Sequence, residues 1–493
     1  MNPLTTRRRL PLWAHLFVLS PLVVAMVGCA SGPDYVRPES LSVTKFVTVA
    51  PSASTPASPV IHGGSQEFVN AAVPGEWWKE LQSDKLNHLI AQALVASPSL
   101  AAAQATLRQA RHNYAASSGS TELPQVNAKL GAQRLGANNA AAGLPDGERT
   151  YDLYNATVAV SYDLDLAGGN RRALEALTAQ ADYQSYQLEG SRLTLAANLV
   201  LTAITQAQLA AQIDATNILL QGQAEQIAIT RKRIELGSGT QLEVLALQAQ
   251  MEQTQAGLHG IHNKKAQTRH LLALLAGLAP GETGLPEFEF ADFALPGTLP
   301  VSVPSEWVRR RPDVRASEAL LQTASAQYGV AVAKLYPQLT LTANLGSQAL
   351  TTASLFGPGS LIWSLGGQLV QPLFNPGLRA NSKALEAGLD AAKANYQQAV
   401  LQSLRNVADV LRTIESDALV QQSLESANAS AAKALKLVER QYALGSASYL
   451  QLLLSQQQAQ QAHINTLEVR ARRLSNTVTL YQAMGGGALV PSK

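Results

Sequence analysis

The chain of 493 residues has one cysteine, Cys29, so no internal disulfide can hold its fold together. Charge is also scarce: 15% of residues are charged, and 38 Lys and Arg stand against 35 Asp and Glu, a surplus too small to point to a nucleic acid or other polyanion. Aromatic residues make up 5%, while long tracts are dominated by Ala, Leu, Gln and Ser, a composition that suits extended, closely packed helices. Proline is missing from Gly168 to Leu236 and again from Gly377 to Leu444. Catalytic patterns are missing too: there is no G-x-S-x-G, no Walker loop and no G-x-G-x-x-G. His259 and His262 stand three apart on a predicted helix, but Lys264 and Lys265 follow and no carboxylate adjoins, so no metal site is expected.

What is present begins at the N-terminus. Arg7-Arg8-Arg9 precedes an apolar run from Leu10 to Val27, interrupted by Pro21, which reads as a secretory signal rather than a membrane span. Cys29 follows Val27-Gly28 directly and resembles the cysteine of a bacterial lipoprotein box. A covalent lipid there, at about 0.8 kcal/mol per buried methylene, would hold the chain on a membrane, and no other cofactor is expected. Ala30 stands where an Asp would mark inner-membrane retention, which favours the outer membrane.

The rest divides in two. Residues 1–28 are read as the signal and 29–75 as a lipidated tether or strap rich in Ser, Pro, Thr and Ala. Residues 76–279 form a first repeat, 280–306 a Pro-rich linker, 307–486 a second repeat and 487–493 a tail. The repeat shows in paired stretches: "SPSLAAAQATLRQARHNYAA" from Ser97 with "RPDVRASEALLQTASAQYGV" from Arg311, and "LPQVNAKLG" from Leu123 with "YPQLTLTANLG" from Tyr336. "DLDLAGGNRR" from Asp163 pairs with "PLFNPGLRA" from Pro372, and "IELGSGTQLEVLALQAQ" from Ile234 with "YALGSASYLQLLLSQQQ" from Tyr442. Each half reads helix, strand, strand, long helix, glycine turn, helix.

Strict alternation carries the strands. Tyr154, Ala156, Val158, Val160, Tyr162 and Leu164 alternate with polar or small residues, as do Leu339, Leu341, Ala343 and Leu345. Val126, Ala128 and Leu130, and Trp363, Leu365 and Leu369, repeat the pattern more weakly. Such strands suit either a half-buried soluble sandwich or a membrane sheet, and the adjoining lipid anchor favours the membrane. The proline-free runs predict helices of roughly 100 Å each. Within them Leu193, Ala197, Val200, Ile204, Ala207 and Ala211 follow a 4-3 spacing, matched by Val400, Leu404, Val407, Leu411, Ile414 and Ala418. Four strands cannot close a membrane barrel, and an open edge is not tolerated in lipid, so an oligomer is required. Counting strands does not choose between a dimer and a trimer.

With these pieces in place the chain resembles the outer-membrane factors of the TolC-like, NodT-type lipoprotein family. The motifs, in order, are "CASGPDYVRPE" at Cys29, "EWWKELQSDKLNHLIAQAL" at Glu76, "DLDLAGGNRR" at Asp163, "RRRPDVRASEALLQ" at Arg309, "YPQLTL" at Tyr336, "QPLFNPG" at Gln371 and "LYQAMGGG" at Leu480. The resemblance implies a mixed fold, a membrane β-barrel continued by a long α-helical barrel, closed as a homotrimer with twelve strands and twelve helices. It implies a passive exit duct for drugs or toxic small molecules, fed by an inner-membrane pump of the resistance-nodulation-division or major-facilitator type through a periplasmic adaptor. Adaptor docking then falls on the tips Leu236-Gly237-Ser238 and Leu444-Gly445-Ser446. The tunnel constriction falls on Glu243, Tyr442 and Leu450, with Gln451 and Leu454 where relatives often carry aspartates. A duct for peptide or protein secretion would share all these features, and a spacer lipoprotein without a pore would share the helices but have no use for the strands.

Overall fold

The computed structural model describes residues 31–38, 46, 52–60, 62–138, 148–301 and 307–487; Cys29 and the signal lie outside them. The chain divides into two compact units. Unit 1 comprises Met1–Pro38, Leu107–Gln184 and Ser317–Tyr396, and unit 2 comprises Glu39–Thr106, Ser185–Ala316 and Gln397–Lys493.

In chain order the strands are β1 (Glu67–Val69), β2 (Gln125–Asn138), β3 (Glu148–Leu164), β4 (Thr298–Pro300), β5 (Gln338–Ala349) and β6 (Leu361–Val370). The helices are α1 (Asp84–Ala96), α2 (Pro98–Thr121), α3 (Gly169–Glu235), α4 (Gln241–Ala276), α5 (Pro312–Ala333), α6 (Pro376–Ala443) and α7 (Tyr449–Ala483). The long helices α3 and α6 run 67 and 68 residues without a break, as the absence of proline predicts.

Unit 1 holds an antiparallel sheet in the order β2-β3-β5-β6. Its register explains the alternation. Val126, Val160, Ala343 and Leu365 fall in one cross-strand row, and Ala128, Val158, Leu345 and Trp363 in the next. Directly paired residues share a face, so one face of the sheet is apolar from edge to edge. The intervening rows, such as Asn127, Ala159, Asn344 and Ser364, make the other face polar or small. Val126, Leu130, Leu345, Trp363 and Leu365 are all exposed, so no second layer of the described residues covers the apolar face and the soluble sandwich is set aside.

Residues 31–38 dock on this unit. Ser31 N donates to Ala167 O at 2.9 Å, and buried Arg172 pairs with Glu175 at 2.8 Å and with Asp34. Tyr35 and Arg37 both reach Glu318.

Unit 2 holds the stacked aromatic pairs. Trp77 stacks on Tyr481 with centroids 5.5 Å apart, and Phe288 on Phe293 at 5.8 Å. The 4-3 seam packs here: Ala197, Val200, Ile204 and Ala207 on α3, and Val407, Leu411, Ile414 and Ala418 on α6, are buried. An 18-residue window of α3 is apolar enough to cross a membrane, yet 61% of it is buried inside the chain, so its apolar residues serve packing. At the second repeat's start, Arg311 grips Asp313 through two bonds of 2.9 and 2.7 Å and donates to Ala483 O at 2.7 Å.

The strap departs from expectation. Composition predicted a surface tether, but Thr55, His62 and Gln66 are buried. Arg473, 3% exposed, donates to five neutral oxygens: those of His62, Gly64, Gln421, Gln66 and Thr55. A buried guanidinium needs such acceptors, and the strap supplies four of them, two backbone carbonyls and two side-chain oxygens. His62 takes a left-handed backbone, φ 59°, and its Nε2 donates to Phe293 O at 2.9 Å. Burial pushes the His62 pKa down, and Arg470 and Arg473 add to this. The strap also contributes β1, which pairs in parallel with β4 of the linker. Two strands of three residues are too short to show periodicity, so the sequence reading of four strands missed them.

Candidate functional site

Both glycine turns lie in unit 2. α3 ends at Glu235; Gly237 follows with φ +77°, its N–H donating to Ile234 O at 2.9 Å and that of Ser238 to Arg233 O at 2.9 Å. α6 ends at Ala443; Gly445 has φ +79°, its N–H donating to Tyr442 O at 3.0 Å and that of Ser446 to Gln441 O at 2.8 Å. These are two copies of one helix-ending motif, in which a left-handed residue lets the last carbonyls be satisfied. A side chain at either position would be strained by the backbone, though a Cβ at Gly237 would meet nothing within 4 Å and one at Gly445 only Arg233 Nη2 at 3.9 Å.

The restarting helices are capped alike. Thr240 accepts from Glu243 N at 3.4 Å. Ser448 accepts from Gln451 N at 3.3 Å, while Gln451 Oε1 accepts from Ser448 N at 2.8 Å, a complete capping box. Gln451 therefore occupies the position in α7 that Glu243 occupies in α4. Its carbonyl is engaged in the cap, whereas Glu243 Oε2 is buried with no hydrogen-bond partner among the described residues.

The expected constriction residues separate. Leu450 and Leu454 are 60% and 55% exposed, and the tip residues Leu236 and Leu444 are more so. Tyr442 is 3% exposed within the chain and clusters with Ala447 and Leu452. Its hydroxyl donates to Thr230 Oγ1 at 3.0 Å, since Thr230 spends its own proton on Gln226 O at 2.9 Å. Arg233 lies over the Tyr442 ring, 4.7 Å from the centroid, and donates to Tyr442 O at 3.2 Å and Ser238 O at 3.2 Å.

The two tips are thus joined within the chain. Tyr449 packs against both apolar clusters, that of Ile227, Val244 and Leu247 and that of Tyr442, Ala447 and Leu452. One turn further from the tips, Gln226 donates to Glu439 Oε1 at 3.3 Å and accepts from Gln456. Burial raises the Glu439 pKa; nearby Glu225 adds to this and Lys436 opposes it. Thr230, Arg233, Glu439 and Gln456 were not singled out from sequence. A signal existed for Arg233, because the paired repeat has Gln441 at that place.

A model of the outer membrane efflux protein family matches residues 89–278 and again 303–486. The chain belongs to that family. The pyoverdine export outer membrane protein OpmQ of Pseudomonas putida is 31% identical over 456 residues, 91% of this chain and 96% of that protein. A probable outer membrane lipoprotein of Salmonella typhimurium, SilC, is 27% identical over 478 residues, 94% of this chain and 97% of its own. The solved structure of the outer-membrane channel OprN superposes with a TM-score of 0.83 at 26% identity, covering 93% of this chain and 99% of that one. This outer membrane efflux protein is accordingly a channel component of a bacterial efflux system, located in the outer membrane and drawn from a family of channels rather than enzymes. The two matched segments coincide with the two copies of the helix-strand-strand-helix unit, each with its own tip.

Proposed function

We propose that this efflux protein acts as a homotrimeric, passive exit duct of a tripartite system, anchored by lipid on Cys29, its energy supplied by an inner-membrane pump. The observation that carries the oligomer is the sheet of unit 1: among the described residues its apolar face is uncovered and its outer strands, β2 and β6, each have a free edge. In lipid every backbone N–H and C=O along those edges needs a partner, and β6 of one copy meeting β2 of the next supplies them. Four strands per copy make twelve in a trimer, enough for a water-filled barrel lined by the polar face. For the apolar face to stay continuous across the seam, an odd-numbered residue of β6, such as Leu369, must face an even-numbered residue of β2, such as Val126, because a slip of one residue exchanges the faces.

The uncovered Leu236-Gly237 and Leu444-Gly445 pairs offer an adaptor bare backbone next to apolar side chains. Glu243, Tyr442, Leu450 and Leu454 with Gln451 are proposed to surround the narrowest opening, and the cargo is proposed to be small toxic molecules. Reconstitution in planar bilayers tests the duct. Discrete conductance steps are expected after substitution of Leu450 and Leu454 by Ala, and a protein that never conducts would sink the reading. Gly237→Trp and Gly445→Trp, with normal oligomer levels, should raise drug accumulation in cells; unchanged efflux would count against docking at the tips.

A further inference from the structure

All four strand-helix corners of the unit 1 sheet lie at one end of it. β2 and β5 start there and β3 and β6 finish there, with Leu164 opposite Leu339 and Gln338 opposite Val370. The corners differ in what covers them. The β3-α3 corner is covered by the chain's own residues 31–38, through Ser31 N to Ala167 O at 2.9 Å. The β6-α6 corner carries Leu373 and Phe374, each 89% exposed.

This exposure is built and held. Pro372 and Pro376 restrict the backbone on both sides of the pair. The Gln371 amide donates to Leu335 O at 3.1 Å and to Pro372 O at 3.0 Å, and Asn375 Oδ1 accepts from Leu378 N at 3.2 Å to cap α6. The corner is pinned at both ends while its largest side chains point away from the chain. The duplication shows that the fold does not require them. The spacing that carries Gly237 onto Gly445 carries Asp165 onto Leu373 and Leu166 onto Phe374. In the first repeat Asp165 Oδ2 accepts from Arg171 N at 2.8 Å as a helix cap, and Leu166 is half-buried. The second repeat moves the cap to Asn375 and puts two apolar side chains into the open instead.

We infer that Leu373 and Phe374 are the homotypic seam of the duct, seated on the α2-β2 corner of the next copy at Leu123. The inference rests on the closed barrel proposed above. β6 is a free edge, its antiparallel neighbour across the seam is β2 of the next copy, and β2 begins at the same end of the sheet as β6 finishes. The corner that comes to lie beside Leu373 and Phe374 is therefore Thr121 to Gln125, whose own apolar residue, Leu123, is also exposed. An apolar pair rigidly displayed opposite an apolar acceptor is the arrangement of an interface anchor.

The test is photo-cross-linking in intact membranes, with a benzophenone amino acid replacing Phe374. The expected product is a chain-to-chain adduct mapping to residues near Leu123; adducts confined to lipid or to the same chain would overturn the seam. Leu373→Ala with Phe374→Ala, and separately Leu123→Ala, should each cut the half-life of the detergent-resistant oligomer at least tenfold, with Phe374→Leu recovering most of it. An unchanged half-life in the Ala variants would also overturn it. A parallel disulfide scan of Leu369→Cys against Val126→Cys and Ala128→Cys separates the two proposals. Strand cross-links without a Phe374 adduct to a second chain would leave the barrel and remove the seam, and no strand cross-links at all would remove the barrel.

Discussion

The two tips of this efflux protein share a backbone and have exchanged their chemistry. Gly237 and Gly445 take the same left-handed conformation, and Thr240 and Ser448 cap the helices that follow. Around that frame the first tip carries Arg233 and Glu243, and the second carries Gln441 and Gln451 in their places, with Tyr442 where the first has Ile234. The differences are complementary: Arg233 of the first tip reaches the ring and carbonyl of Tyr442 of the second. Backbone requirements resisted divergence because a positive φ has few solutions. Side chains were free to specialise into two halves of one joint.

The largest expected effect comes from attacking what the tips share. Gly237→Val and Gly445→Val should each cost about 1–3 kcal/mol, since a β-branched residue is forced to a positive φ. Equal losses of hydrogen-exchange protection in the flanking turns are expected, and a marked inequality would show that the two frames are not equivalent.

Next come the residues that join the tips. Thr230→Val or Tyr442→Phe should cost about 1–2 kcal/mol by removing a buried hydrogen bond. Their combination should cost little more than Thr230→Val alone, because both delete the Tyr442–Thr230 bond and Thr230→Val also removes the bond to Gln226 O. Single-channel recording should show more frequent opening in each variant; additive costs would mean that the bond does not couple the tips.

Acidity sharpens the comparison, because Glu439 belongs to the second repeat and its acceptor role toward Gln226 ties it to the first. Its carboxyl binds a proton more readily in the folded chain than in the unfolded one, since burial raises its pKa above 4.5. The folded state therefore gains stability as pH falls through the raised value, and the gain is complete below 4.5. Protection of the α3-α6 contact should rise over that window and the rise should vanish in Glu439→Gln.

The smallest effect on stability is expected from swapping the capping residues. Glu243→Gln and Gln451→Glu should each change stability by less than about 0.5 kcal/mol, as both side chains suit a helix N-terminus. Their effect should appear instead in ion selectivity, with cation preference falling in the first variant and rising in the second. Identical reversal potentials in all variants would remove Glu243 from the conducting path.

Much of the fold was legible because its signals are local. Alternation marked β2, β3, β5 and β6, missing proline marked α3 and α6, and Leu-Gly-Ser marked both tips. Other features were hidden because they depend on distant partners. Nothing near His62 announces that its carbonyl will meet Arg473, and nothing near Tyr442 shows that Thr230 and Arg233 will bury it. Exposure cannot be read from residue type when one aromatic, Tyr442, is enclosed and another, Phe374, is held in the open.

The sequence by itself determined the duplicated unit, the two faces of each strand and the glycine turns, because period and backbone sterics act over a few residues. The tertiary structure alone decided the register that aligns the apolar rows, the burial of the strap around Arg473 and the joining of the tips through Tyr442. Those outcomes depend on which polar groups meet across hundreds of residues, and a buried donor takes whatever acceptor the folded chain brings to it.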